Sequence, residues 1–292
     1  MSNYLRAAAL LLASAVLPSC SAVDALNATV STDGVRVQRN LAYAGFNRGK
    51  LDVYTPEKPG PEKLPLVVFF YGGSWNSGSK DDYKFVAAPL ARQGMVVAVP
   101  DYRLVPEVRF PTFIEDNARA VAYARAHAAQ WGADPKRVFL MGHSAGAYDV
   151  LMLATDPHYL AGVGMDRAGL AGAIAIAAPA DFLPLDDPAT VAAFGQAPDL
   201  AKTQPIDFAD GHNPPLLLLH GQADDTVYLR NSTAMAARVK AAGGDVTLKT
   251  YPDVGHIGII IAMAPLFASK APVLADVAAF IAAHPAIPAP GL

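Results

Sequence analysis

The pentapeptide Gly142-His143-Ser144-Ala145-Gly146 constrains this chain more than any other stretch. Before it lies the apolar run 137–141, which reads as a buried parallel strand. Residues 145–154 after it read as a helix. A strand that enters a helix through G-x-S-x-G makes a nucleophile elbow, a turn so sharp that the serine points out of the sheet. Side chains at positions 142 and 146 would collide with neighbouring backbone, which accounts for the two glycines. The helix N-terminus adds unpaired N–H donors beside the hydroxyl. A Gly/Ser turn recurs by chance; the flanking strand and helix are what give this one a catalytic sense. A serine hydroxyl is a weak nucleophile until a base takes its proton. Ser144 therefore calls for a histidine and a group to orient it.

The chain around the elbow repeats the alternation of strand and helix. Residues 35–43 and 51–54 read as two antiparallel edge strands joined by the turn Gly45-Phe46-Asn47-Arg48-Gly49. Residues 55–65, with four prolines, read as a loop, and 66–70 as a strand covered on both faces. A helix at 83–93, a strand at 95–99 and a proline-bounded loop at 101–111 follow. Next comes a long helix at 112–131, with Thr112 as its N-cap and Glu115 and Asp116 in its first turn. Beyond the elbow the pattern predicts strands at 170–177, 216–219 and 246–251 and helices at 229–241 and 271–283. Residues 181–215 are irregular and proline-rich. Such alternation predicts an α/β class: a mostly parallel central sheet with helices on both faces and no large cap domain. The catalytic domain is expected over 34–292, after a linker at 21–33.

Composition narrows the functional classes. Of 292 residues, 52% are apolar and 17% charged, enough apolar surface for a large core. Lys plus Arg number 23 against 26 Asp plus Glu, so no basic field invites nucleic acid. Neither a Walker loop, nor G-x-G-x-x-G, nor H-E-x-x-H occurs, and the seven histidines lack ligand spacing. No cofactor and no metal are expected. Residues 1–20 read as an export signal: Arg6 supplies the positive start, and the apolar run 7–17 is too short for a bilayer, which needs about 20 residues. Leu17-Pro18-Ser19-Cys20 resembles a bacterial lipobox, which implies lipidation of Cys20. Ser19-Cys20-Ser21 and Ala22 also offer an ordinary cleavage site. Cys20 is the only cysteine, so no internal disulfide can form. The expected location is the cell envelope or periplasm, with membrane contact only through a lipid on Cys20.

Three further constellations follow predicted strands. Tyr71-Gly72-Gly73-Ser74-Trp75 follows the strand at 66–70. Acyl transfer builds negative charge on a carbonyl oxygen, and pre-aimed backbone N–H groups stabilise it, each by on the order of 3 kcal/mol. Gly72 and Gly73, with the amide of Ala145, are the candidates for that oxyanion hole. His220-Gly221-Gln222-Ala223-Asp224-Asp225-Thr226-Val227 follows the strand at 216–219. A carboxylate there sits where open α/β sheets place ligands. Asp224 and Asp225 both qualify; the frame G-x-x-D-x-x-V selects Asp224, leaving Asp225 as a capping or solvated residue and His220 as a structural strand-end residue. Tyr251-Pro252-Asp253-Val254-Gly255-His256 follows the last strand, and Gly255 allows a tight turn that presents His256 as the base. The order Ser144, Asp224, His256 is one known order of such a triad. His127, His158, His212 and His284 have no such context and are expected at the surface. His143 occupies the variable elbow position.

These residues resemble the α/β-hydrolase superfamily, and within it the esterase/lipase group with an H-G-G-G-W-like oxyanion motif, which includes hormone-sensitive-lipase-like and feruloyl-esterase-like enzymes and arylformamidases. The resemblance also rests on Asp101-Tyr102-Arg103-Leu104, Phe110-Pro111 with Glu115-Asp116, and Asp134-Pro135-Lys136-Arg137-Val138, all in the group's order. It implies a cofactor-free serine carboxylesterase that acts on small-molecule esters; an arylformamidase-like amide hydrolase and an inactive binding protein on the same scaffold are the alternatives. Two positions depart from the motif. Tyr71 replaces the usual histidine, which implies different support for the loop. Ser74 replaces the third glycine, which implies a narrower acyl site.

Overall fold

The computed structural model describes residues 22–286. Eight strands make one sheet: β1 (Val35–Ala42), β2 (Lys50–Pro56), β3 (Leu64–Phe70), β4 (Val96–Pro100), β5 (Ala133–His143), β6 (Gly172–Ile176), β7 (Leu216–Gly221) and β8 (Val246–Tyr251). Their spatial order is β1-β2-β4-β3-β5-β6-β7-β8. The pairs β1–β2 and β2–β4 are antiparallel and the other pairs parallel. The continuous apolar run at 66–70, predicted to be covered on both faces, is so: β3 is buried from its second residue on, and β4 and β6 are buried along their whole length.

The covering helices are α1 (Ala22–Ala28), α2 (Lys84–Arg92), α3 (Thr112–His127), α4 (Ala145–Thr155), α5 (Pro157–Ala161), α6 (Pro188–Phe194), α7 (Arg230–Ala241), α8 (His256–Ile261) and α9 (Val273–Ala283). The long helix expected at 112–131 changes to a 3-10 turn at Ala128–Trp131. Its N-cap is Pro111 rather than Thr112, which lies inside the first turn. Within the span expected to be irregular, 181–215, α6 forms because Asp187 caps it, accepting from Ala189 N–H and Thr190 N–H at 2.8 and 3.2 Å.

Residues 22–33 are not a free linker. α1 docks on the loop before α2: Asn27 donates through Nδ2 to the Asp82 carbonyl at 2.9 Å and accepts from the Phe85 N–H at 3.0 Å. Val30 is buried behind it. Small and polar side chains gave no periodic signal there; the fixing partner lies more than 50 positions away. Residues 1–21, including Cys20 and the expected signal segment, lie outside the described residues.

Topology positions the site. From β3 the chain moves outward to β4, then crosses back to place β5 on the other side of β3. The order of winding reverses between β3 and β5, and ligands of open α/β sheets bind outside the carboxyl ends at such a switch point. Phe70 at the end of β3 pairs with Gly142 near the end of β5. The turn that begins at Tyr71 and the elbow at Ser144 are thereby neighbours.

Candidate active site

The elbow is tight enough to exclude a Cβ at either glycine. A Cβ on Gly142 would lie 2.3 Å from the Gly146 carbonyl oxygen, and one on Gly146 would lie 2.2 Å from that of Phe70. Ser144 itself has φ 54° and ψ −121°. A non-glycine residue held there costs on the order of 1–3 kcal/mol, which the surroundings must supply. They do so through the Ser144 N–H, donated to Ile176 O at 2.9 Å, and the Ser144 carbonyl, which accepts from Tyr148 N–H at 3.0 Å. The hydroxyl emerges at the N-terminus of α4, beside the positive end of the helix dipole.

Loops after β7 and β8 deliver the partners. His256 begins α8 and places Nε2 2.9 Å from Ser144 Oγ. Its Nδ1 lies 2.8 Å from Asp224 Oδ2. Asp224 Oδ1 accepts from the N–H groups of Thr226 and Val227 at 3.0 and 2.8 Å. Burial alone would raise the Asp224 pKa, but hydrogen bonds from His220 and His256 and the backbone of Val227 hold it below the ordinary carboxylate value. Asp224 is therefore an anion wherever the site works, suited to orient an imidazole and stabilise an imidazolium. Asp225, next in sequence, is exposed.

Two histidines outside this trio brace it. His220 is fully buried. Its Nδ1 meets Ser232 Oγ and its Nε2 the Val227 carbonyl, both at 2.7 Å, with Asp224 Oδ2 3.4 Å away. It is the structural strand-end residue the sequence suggested, and it steadies the carboxylate. His143 does more than occupy a variable position. It is buried, with Nε2 donating to the His256 carbonyl at 3.1 Å and its ring 4.8 Å from the His256 ring. Burial, reinforced by the neighbouring His256, pushes its pKa down to about 3, so the ring stays neutral. By contrast, the side chains of His158 and His212 are largely exposed.

The turn after β3 faces the serine. Gly73 has φ +128° and a Cβ there would lie 2.3 Å from the Ser77 carbonyl oxygen; Ser74 and Trp75 also have positive φ, 51° and 58°. The N–H groups of Gly73, Ser74 and Ala145 donate to no acceptor among the described residues. The Gly72 backbone faces the Tyr83 phenol, whose pKa burial and Asp82 push up to about 12 while that backbone works the other way. Tyr71, in place of the usual histidine, fastens the turn by another route. Its hydroxyl donates to Asp101 Oδ1 at 2.8 Å and accepts from Arg48 Nη2 at 2.6 Å, while Tyr102 donates its hydroxyl to the Tyr71 carbonyl at 2.7 Å. Arg48 was invisible as a site residue because it lies in an edge-strand turn far from any motif; Asp101 and Tyr102 were visible only as part of a motif. A cavity of about 250 Å³ opens at Ser144, walled by Ser74, Trp75, Phe182, Thr190 and Tyr228. No cluster of metal-ligating side chains occurs among the described residues.

The chain is similar to known proteins. A family model described as BD-FAE matches residues 51–239. The isoprenylcysteine alpha-carbonyl methylesterase of Arabidopsis thaliana is 34% identical over 113 residues, 39% of this chain and 26% of the relative. The carboxylesterase NlhH of Mycobacterium tuberculosis is 38% identical over 111 residues, 37% of this chain and 34% of the relative. The chain thus spans about a quarter to a third of the length of these relatives. Esterase B of Lactobacillus rhamnosus superposes with a TM-score of 0.76 at 21% identity, over 89% of this chain and 90% of that one, and the likeness shows the α/β-hydrolase fold.

Proposed function

The chain belongs to the BD-FAE family, and from that premise we propose that it is a serine carboxylesterase acting on small to medium esters through an acyl-enzyme. One observation carries the proposal: a single imidazole lies 2.9 Å from a strained elbow serine and 2.8 Å from a buried, ionised aspartate. His256 Nε2 takes the Ser144 proton as Oγ attacks the ester carbonyl. Asp224 holds the imidazole with Nδ1–H toward itself and stabilises the imidazolium. The amides of Gly73 and Ala145, with that of Ser74 beside them, receive the oxyanion. His256 then protonates the leaving alcohol, and water hydrolyses the acyl-enzyme by the same steps. The names of the matched relatives, a carboxylesterase and a methylesterase, agree with this chemistry.

A panel of p-nitrophenyl esters, feruloyl esters and N-formylkynurenine tests the proposal. Hydrolysis of short esters is expected, with loss of about 10⁴- to 10⁶-fold in kcat for Ser144→Ala and fluorophosphonate labelling confined to Ser144. Turnover of the formamide alone would replace the esterase with an amidase. More than a few per cent of wild-type activity in Ser144→Ala would remove the nucleophile.

We also infer that the chain is exported and anchored through a lipid on Cys20. The support is the apolar run that ends at Leu17, the small Ser19 and the uniqueness of the cysteine. Two or more acyl chains, at about 0.8 kcal/mol per buried CH₂, anchor stably where one does not. Mass spectrometry of the mature N-terminus decides: an unmodified peptide beginning after Cys20 contradicts the anchor.

A further inference from the structure

Beneath the site lies a carboxyl group that the reaction as derived does not use. Asp149, in α4, is 0% exposed. No cation pairs with it among the described residues; its partners are two neutral donors. The Trp75 indole N–H reaches Oδ1 at 3.3 Å, and Asn117 Nδ2 reaches Oδ2 at 2.8 Å. Burial drives the Asp149 pKa well above the usual carboxylate range, against those two hydrogen bonds. Burial thus favours the protonated form of Asp149. Asn117 Oδ1 is a buried acceptor with no partner recorded among the described residues, and turning the amide over would bring it to the oxygen that Nδ2 now meets, where it could take that proton.

A buried acid and amide cost stability unless they are satisfied, and an apolar pair of the same shape would serve packing better. The reason for keeping them lies in what they hold. Trp75 closes the turn that carries the free amides of Gly73 and Ser74, and does so at φ 58°. Its ring is a wall of the cavity at Ser144. The ring is packed edge to face against Tyr148 and Phe194, with centroids 5.3 and 4.7 Å away. Ring packing is tolerant of sliding, whereas an N–H···O bond has direction.

We propose that Asp149 and Asn117 are a positioning pair that, through the Trp75 indole N–H, fixes the oxyanion turn and the acyl wall against the elbow helix. The proposal rests on the ester-hydrolase function above, but part of its test does not. The chain has two tryptophans, so the indole region of a ¹H–¹⁵N spectrum holds two resonances, assigned by Trp75→Phe. Slow exchange of the Trp75 N–H is expected in the wild type and in Asp149→Asn, whose amide oxygen still accepts from the indole and whose NH₂ meets Asn117 Oδ1 once the Asn117 amide turns over. Fast exchange is expected in Asp149→Leu. On p-nitrophenyl butyrate, Asp149→Leu and Trp75→Phe should each lower kcat about tenfold or more with KM within about twofold, since small misplacements of catalytic donors act on the transition state. The double variant should lose no more than either single one, and Asp149→Asn should stay near wild type. Multiplying losses in the double variant, or slow exchange and wild-type kcat in Asp149→Leu, overturn the proposal. Should Asp149→Leu fail to fold, wild-type kcat in Trp75→Phe overturns it. Should the wild type hydrolyse no ester, the esterase assignment falls, and the exchange measurement still decides whether the pair holds the indole.

Discussion

At Asp224, one oxygen serves the backbone and the other serves two imidazoles. The split explains why its neighbour cannot replace it: Asp225 is exposed, while Asp224 has both oxygens committed inward. Asp224→Asn should lower kcat/KM by about 10⁴-fold, because the histidine loses its orienting anion. Asp225→Asn should change it little, and the reverse ranking would move the third member of the triad by one residue. His143 yields a test of stability. Its folded pKa of about 3 lies below its ordinary value of 6.5. Between those values the unfolded chain binds a proton that the buried ring refuses, so this group makes stability rise with pH, by up to about 1.4 kcal/mol per unit. In His143→Gln, which keeps a donor for the His256 carbonyl, melting temperature should depend less steeply on pH across that window. Equal slopes would show that His143 does not titrate as its burial requires.

Among the elements, α4 combines the most roles. It starts at the strained serine, is buried along its whole length, and carries Tyr148 and Asp149 against Trp75 in the turn after β3. The turn is gripped from two sides: by Asp149 through Trp75, and by Arg48, Asp101 and Tyr102 through Tyr71. The grip of Asp149 carries a pH signature of opposite sign to that of His143. Its folded pKa is raised, so its contribution is complete below the ordinary value near 3.8 and is lost as pH rises toward the folded one. Asp149→Asn removes that loss. The melting temperature of Asp149→Asn minus that of the wild type should therefore grow as pH rises above about 4. A constant difference would mean that the acid does not hold its proton in the fold.

For the whole molecule, the size of the cavity and the shape of its wall determine what enters. The volume of about 250 Å³ is below the roughly 300–1,000 Å³ of pockets for drug-sized ligands. Phe182 and Trp75 line it, and the segment between β6 and β7, with one short α-helix, α6, and two 3-10 turns, supplies a side wall. Each methylene that fits adds about 0.8 kcal/mol, or roughly fourfold in kcat/KM. Across p-nitrophenyl esters, kcat/KM should climb and then drop sharply within acyl lengths of about C2 to C6. An optimum at C12 or longer, with activation at a lipid interface, would instead indicate a lipase. The docking of α1 bears on the anchor as well. With Asn27 tied to the loop at Asp82 and Phe85, a lipid on Cys20 would hold the domain by a far shorter tether than 13 free residues would allow.

The fold class and the trio Ser144, Asp224 and His256 were legible in the sequence because each is announced locally. Apolar runs mark covered strands, the glycines at 142 and 146 mark a turn no side chain tolerates, and Asp224 and His256 each follow a strand end. The same local signals singled out the glycine turn at 72–73, but not which of its amides stay free. The partnerships of His143 with His256 and of Trp75 with Asp149 span 113 and 74 positions. No periodicity encodes such pairs: Trp75 meets Asp149 because β3 and β5 are neighbours although β4 lies between them in the chain, and His143 meets His256 because the loop after β8 returns to the end of β5. Residues 22–33 show the same division: their small, polar composition says nothing of the loop that receives Asn27. Local sequence determined which groups stand at the strand ends, since backbone geometry and burial are properties of a few consecutive residues. Tertiary structure alone decided which of those groups touch, because contact depends on the order in which the strands are laid side by side.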